Sequence, residues 1–301
     1  MPPPFLYATI GQMKDSLKDP SGTDYHKRGV RHGVTVFDLD RPDFYDGMWP
    51  EPDMSSGSVR NWLVRKQRFF ITGLAGKKGT VLDLGCGGGW KLFTTVGRVT
   101  GVDLSPLSLK GASSIYDSVA VADLARLPFS SNSFDTVVSS DVIGHIPAEY
   151  KDAVIEEAYR VLKPGGCCLH YIEAEGDDPW TLFAKKYPEL YQRHIIGPEG
   201  HEGLESPGAT MVRFRRAGFK PVKELSAYKM LMYVHRVPQL YDNEYKYYSR
   251  LLRAVVALSK LICRFSMAET AANVLLAMAL EVTDRVFPDS WGSGVMLMYR
   301  K

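Results

Sequence analysis

The run Val81-Leu82-Asp83-Leu84-Gly85-Cys86-Gly87-Gly88-Gly89 constrains this chain more than any other segment. Four residues fit for a buried strand pass directly into a turn carrying four glycines. Such a strand-to-helix turn exposes backbone N–H groups and lets a ligand approach the main chain. A dinucleotide fingerprint would need a third glycine at position 90, which is Trp90. A phosphate-cradling Walker loop would need a following Gly-Lys-Ser/Thr, which is missing. The next apolar run ends in Gly101-Val102-Asp103, an acid at a strand tip about 20 residues on, where α/β nucleoside sites place the carboxylate that accepts the ribose hydroxyls. Asp83, beside the glycine turn, is placed to attract a cationic amino group. A ligand with a ribose and an ammonium group, but no pyrophosphate, has the chemistry of S-adenosylmethionine.

The surrounding rhythm gives the architecture. Short apolar runs at Val81–Leu84, Val99–Val102, Val119–Val121, Phe134–Ser139 and Cys167–Ile172 alternate with helical stretches, the pattern of a parallel sheet covered on both faces, a doubly wound α/β fold. Ser55 to Leu74 reads as a helix with an apolar stripe (Trp62, Val64, Phe69, Phe70, Leu74), and Asp152 to Leu162 as another, ended by Lys163-Pro164-Gly165-Gly166. Residues 1–54 read as an N-terminal arm or lid, 55–228 as the core with an insertion at 175–206, 229–289 as a helical cap, and 290–301 as the final strand.

Composition narrows the partners. The chain has 301 residues, 45% hydrophobic and 24% charged, with a net charge of +3, too small to mark a nucleic-acid binder by itself. Cys86, Cys167, Cys168 and Cys263 show no paired metal spacing, so reduced thiols and a cytoplasmic setting are expected. No signal peptide or uncharged spanning run is visible.

Four segments, in order, resemble the class I S-adenosylmethionine-dependent methyltransferases, in particular the small-molecule group around the ubiquinone/menaquinone enzymes. They are the glycine loop; Gly101-Val102-Asp103-Leu104-Ser105; Ala122-Asp123-Leu124 with Leu127-Pro128-Phe129 and Ser133-Phe134-Asp135; and Arg160-Val161-Leu162-Lys163-Pro164-Gly165-Gly166. The resemblance covers roughly residues 60–175. It implies a seven-stranded, mostly parallel sheet with an antiparallel last strand, closed by Phe219–Tyr228 and Gly294–Tyr299. It further implies that Gly85, Cys86, Gly87 and Gly89 surround the methionine part of the cofactor, with Asp83 near its amino group. Asp103 would take the ribose hydroxyls, Leu104 the adenine face, Asp123 and Leu124 the adenine edge, and Ser139 and Ser140 the sulfonium side. One departure is the stretch Trp90 to Arg98, short for the family's first helix.

The expected reaction is direct displacement of the methyl group onto a small-molecule, sugar or lipid-linked acceptor, releasing S-adenosylhomocysteine. The rival is a protein of the same fold that binds the nucleoside without methyl transfer, in a cyclase-like or partner-binding role. His145, just after the fourth strand, is the candidate base, although a shaping or cofactor-side role is the preferred reading for it. His194 and His201 are backup bases, and Tyr45, Trp49 and Tyr233 are expected to meet substrate. No metal is expected: His194 and His201, with Glu199, Glu202 and Glu205, lack helical H-x-x-x-H spacing and are interrupted by Gly and Pro. Leu251 to Phe265 is an apolar helix with Arg253, Lys260 and Arg264 on one face, fit for a membrane interface, a buried cap or a dimer contact.

Overall fold

The computed structural model describes residues 65–197, 200–201 and 203–301, together with the backbone of four three-residue strands. These pair antiparallel, Ser16–Lys18 with Asp24–His26 and Gly29–Arg31 with Val34–Val36. Tyr45, Trp49, Glu199, Glu202 and the expected helical stretch 55–64 lie outside the described residues.

A seven-stranded sheet organises the rest. Its strands are β1 (Gly79–Leu84), β2 (Gly97–Asp103), β3 (Ser118–Val121), β4 (Phe134–Ser140), β5 (Leu162–Glu173), β6 (Lys220–Ala227) and β7 (Gly294–Arg300), in spatial order β6-β7-β5-β4-β1-β2-β3. Strands β1 to β5 pair in parallel, and β7 runs antiparallel between β5 and β6. The chain order reverses between β1 and β4, the position at which open α/β sheets hold their ligands, outside the carboxyl ends of the strands.

Alternation along each strand divides the core. Leu82, Leu84 and Val137 face a layer built with α4 (Ala148–Val161) and α7 (Pro207–Arg216), including Val154, Ile155 and Phe214. Val81 and Val138 face the other layer, with α1 (Arg65–Leu74), α2 (Lys91–Thr94) and α3 (Pro106–Ala112). The short helix expected after the glycine loop is α2, with four residues. Aromatic packing fixes it: Trp90, Phe93 and Phe70 hold their ring centroids 5.1–5.5 Å apart. Arg65 ties α1 to the long helix α10 (Ser266–Val286) through a buried 2.7 Å ion pair with Asp284.

Segments 175–206 and 229–289 share a third core. Helices α5 (Pro179–Lys185) and α6 (Pro188–Tyr191) pack on α8 (Arg236–Tyr241) and α9 (Arg250–Cys263) through Ala184, Val237, Tyr241, Tyr245, Leu252 and Val256. Tyr245 is fully buried and donates its hydroxyl to Ala184 O at 3.0 Å. Burial of each such side chain contributes about 1.5–3 kcal/mol, so this satellite core holds the two segments to one another.

Candidate cofactor and acceptor site

Three glycines of the loop take left-handed backbone conformations: Gly85 (φ 64°), Gly87 (φ 51°) and Gly89 (φ 84°). An L side chain there pays a steric penalty, and a Cβ on Gly85 would also stand 2.6 Å from the Val142 methyls. That close approach brings the loop against the β4 tip. Cys86 N donates to Val102 O at 2.9 Å, and its thiol covers Gly101, where a Cβ would lie 2.6 Å from the sulfur. Burial pushes the Cys86 thiol well above its ordinary range, leaving a packing group rather than a nucleophile.

Asp103, at the end of β2, accepts Gly87 N–H at 2.8 Å on one oxygen and Ser105 N–H at 2.9 Å on the other. Its carboxylate thus fixes both the loop and the start of α3, which Ser105 caps. A carboxylate oxygen has two acceptor sites, so these bonds leave capacity for a diol. Leu104 is half-buried beside it. At the β3 tip, half-buried Asp123 accepts Ala125 N–H at 2.8 Å, and Leu124 is buried in the core.

Asp83 is buried behind the loop against Tyr116, whose hydroxyl donates to it at 2.7 Å and accepts the Trp90 N–H at 2.6 Å. Burial pushes the Asp83 carboxyl up to about 8, opposed by the Tyr116 hydrogen bond and reinforced by Asp103. Tyr116 was not singled out by the sequence reading. It lies just beyond α3 with no local motif, and only the fold brings it under residue 83.

The expected Ser139–Ser140 pair is divided by the strand pleat. Ser139 is fully buried, its hydroxyl 2.7 Å from His170 Nδ1, whereas Ser140 Oγ donates to Asp141 at 2.6 Å. This corrects the expectation for Ser139, which packs inside the sheet layer. Asp141 has a left-handed backbone (φ 58°), and its carboxylate is bonded by the ammonium of Lys66, which also lies 4.9 Å over the Tyr171 ring. Burial pushes the Asp141 carboxyl up to about 6 against the pull of Lys66.

His145 closes the short turn Ile143–His145 after β4 and is buried. Its Nδ1 lies 3.3 Å from Gly200 O, and a carbonyl only accepts, so Nδ1 donates. His201 stacks on it with ring centroids 4.7 Å apart. His194 departs from this group: it pairs with Glu244 at 2.5 Å and lies against Tyr245 in the satellite core. Tyr233 stacks on His235 and meets Tyr228 edge-on at the start of the cap. Of the three proposed bases, His145 and His201 are therefore brought together, and His194 is not.

Residues 82–170 match the methyltransferase domain family. Over 214 residues the chain is 31% identical to the demethylmenaquinone methyltransferase of Lactiplantibacillus plantarum, a match spanning 62% of this chain and 87% of that enzyme. The chain belongs to the S-adenosylmethionine-dependent methyltransferases. It is also 32% identical over 133 residues to the ubiquinone biosynthesis O-methyltransferase of Psychrobacter cryohalolentis, covering 40% of this chain and 49% of that protein. Among solved structures, the phosphoethanolamine N-methyltransferase 2 of Haemonchus contortus with S-adenosyl-L-methionine aligns at 21% identity and a TM-score of 0.49, covering 79% of this chain and 52% of that one. The methyltransferase uses S-adenosylmethionine as its methyl donor. The rival reading, nucleoside binding without methyl transfer, is not favoured.

Proposed function

We propose that this methyltransferase acts on an oxygenated small-molecule or lipid-linked acceptor held above the tips of β4 and β5. The observation that carries this reading is one sheet edge holding both the glycine loop with Asp103 and a polar wall of Lys66, Asp141, His145 and Glu173. In this reading the loop residues Gly85, Cys86, Gly87 and Gly89 surround the methionine end, with Asp83 behind them. Asp103 and Leu104 hold the ribose and one face of the adenine, and Asp123 and Leu124 its edge. Ser140 lines the sulfonium side.

Methyl transfer from a sulfonium is a displacement on an activated donor. The protein contributes alignment, removal of water and, for a hydroxyl acceptor, a place for its proton. The tyrosines at the start of the cap, Tyr233 included, give amphipathic surface for a ring or polyol. The names of the two relatives, a demethylmenaquinone methyltransferase and a ubiquinone biosynthesis O-methyltransferase, support a quinone-like acceptor.

Release of S-adenosylhomocysteine should be measured with reduced quinone head groups, polyols and phospholipid head groups offered in turn. Turnover by an oxygenated acceptor, lost in Asp103→Ala along with cofactor binding, is expected. Cofactor binding without turnover of any of these classes would overturn the acceptor assignment.

A lipid-linked acceptor agrees with the outer face of α9. Leu252, Val256 and Ser259 are buried, and beside them Lys246 and Lys260 pair with Asp242 while Arg253 and Arg264 line the same groove; Leu258 and Phe265 are exposed. Basic groups beside exposed apolar ones complement an anionic membrane surface. No helix among the described residues is long and apolar enough to cross a membrane. Co-sedimentation with vesicles containing phosphatidylglycerol, lost on Lys260→Glu/Arg264→Glu, is the expected result; equal recovery with neutral phosphatidylcholine vesicles would remove this contact and leave the cytoplasmic reading alone.

A further inference from the structure

A chelating group is assembled beside the acceptor wall from three separate elements. His145 comes from the turn after β4, Glu173 is the last residue of β5, and His201 comes from the strap that follows the 175–197 helices. One ligating atom from each lies within 4.8 Å of the other two. His201 Nε2 is 3.9 Å from Glu173 Oε1, and both imidazoles are buried.

The strap is fastened to the turn that carries His145. Gly203 N donates to Gly144 O at 3.1 Å, and the buried ammonium of Lys151 bonds Gly203 O. A Cβ on Gly203 would collide with Ile146 O, so the close docking requires glycine there. Glu205 and Arg213 continue the anchor, with an ion pair at 2.6 Å. This construction delivers His201 to His145, a placement that ordinary loop packing does not require.

The electronic arrangement also suits a cation. Donation of His145 Nδ1–H to Gly200 O orients the imidazole through its second nitrogen, the way metal-binding histidines are held in place. Glu173 Oε2 is buried, and the carboxyl group faces both His201 and Asp141. Lys66 pairs with Asp141 and also bears electrostatically on Glu173. Two imidazoles and one carboxylate match a zinc-type first-row cation, with room for an oxygen in the remaining position. Zinc bonds of ~2.0–2.2 Å set neighbouring ligand atoms roughly 3.3 Å apart, so the three side chains would close by about 1–1.5 Å at most.

We propose that His145, Glu173 and His201 bind a zinc-type divalent cation that presents an open coordination position to an oxygen of the acceptor. Linear spacing conceals such a site, because its ligands stand 28 residues apart in each interval and share no helix.

The test uses the full chain, freed of metal by a chelator and titrated with Zn2+ by calorimetry and with Co2+ by visible absorption. One equivalent of each should bind, with Co2+ giving the d–d bands of a low-coordinate nitrogen/oxygen site. His201→Ala and Glu173→Gln should each weaken Zn2+ binding at least tenfold. Both should keep the affinity for S-adenosylmethionine, which reports that the fold is intact. His194→Ala should bind Zn2+ as the unmodified protein does. Absence of stoichiometric binding, or uptake that survives both ligand substitutions, would overturn the proposal and leave a hydrogen-bonded cluster. The metal readout needs no acceptor, so its failure is distinguishable from failure of the proposed acceptor class.

Discussion

Tyr116→Phe removes one oxygen from behind the glycine loop. In the native protein that oxygen accepts the Trp90 N–H at 2.6 Å and donates to Asp83 at 2.7 Å, with all three residues buried. Phenylalanine fills almost the same volume, so the cost comes from two polar groups left without partners. Each orphaned buried group costs about 1–3 kcal/mol, giving a loss of about 2–6 kcal/mol in unfolding free energy. Urea denaturation followed by circular dichroism reads this loss directly. Tyr150→Phe, at an exposed position, is the control and should stay within about 0.5 kcal/mol of the unmodified protein. The loop hangs from residues 83 and 90, so calorimetry should also show weaker S-adenosylmethionine binding in Tyr116→Phe. A variant with stability within about 0.5 kcal/mol of native and unchanged cofactor affinity would refute the reasoning that this hydroxyl braces the loop.

Gly85→Ala forces a Cβ into a left-handed residue and against Val142, and should cost at least about 1–2 kcal/mol in strain; an at least tenfold loss of cofactor affinity by calorimetry is expected. Arg65→Ala strands Asp284, which among the described residues keeps the Tyr228 and Lys229 N–H groups, so a loss of about 3 kcal/mol should appear in urea denaturation, at the low end for a broken buried pair. Asp83 carries a folded-state pKa of about 8 against an ordinary 3.8, so between roughly pH 4 and 8 the native state holds a proton that the unfolded chain has lost. Its contribution therefore makes stability fall as pH rises across that window, and Asp83→Asn should flatten the slope of melting temperature against pH there.

The strands and the cofactor edge were legible because their signals are local. A buried parallel strand is a continuous apolar run, and the turns at Gly85, Gly87 and Gly89 need left-handed backbone that glycine adopts freely. All seven expected strands are found in the sheet. The stunted helix after Trp90 was also legible, since Gly97 follows too soon for a longer one. What escaped were contacts made by topology. Tyr116 beneath Asp83, Lys66 on Asp141 and His201 on His145 join residues 33, 75 and 56 positions apart, with no periodicity to announce them. Ser139 was misplaced for a simpler reason: adjacent strand residues face opposite sides, so only one of two neighbouring serines can line the pocket. The insertion at 175–206 and the cap at 229–289 were read as separate additions, because nothing in either segment reveals that Tyr245 belongs under Ala184.

That shared core has a practical bearing on altering the range of molecules this enzyme accepts. Exchanging residues 175–206 alone for another loop would uncover Val237, Tyr241 and Tyr245 to water; exchanging 229–289 alone would uncover Ala184 and its neighbours. Grafts that reshape the acceptor side should therefore transplant both stretches from one donor as a matched cassette, leaving the strands and the nucleoside edge untouched.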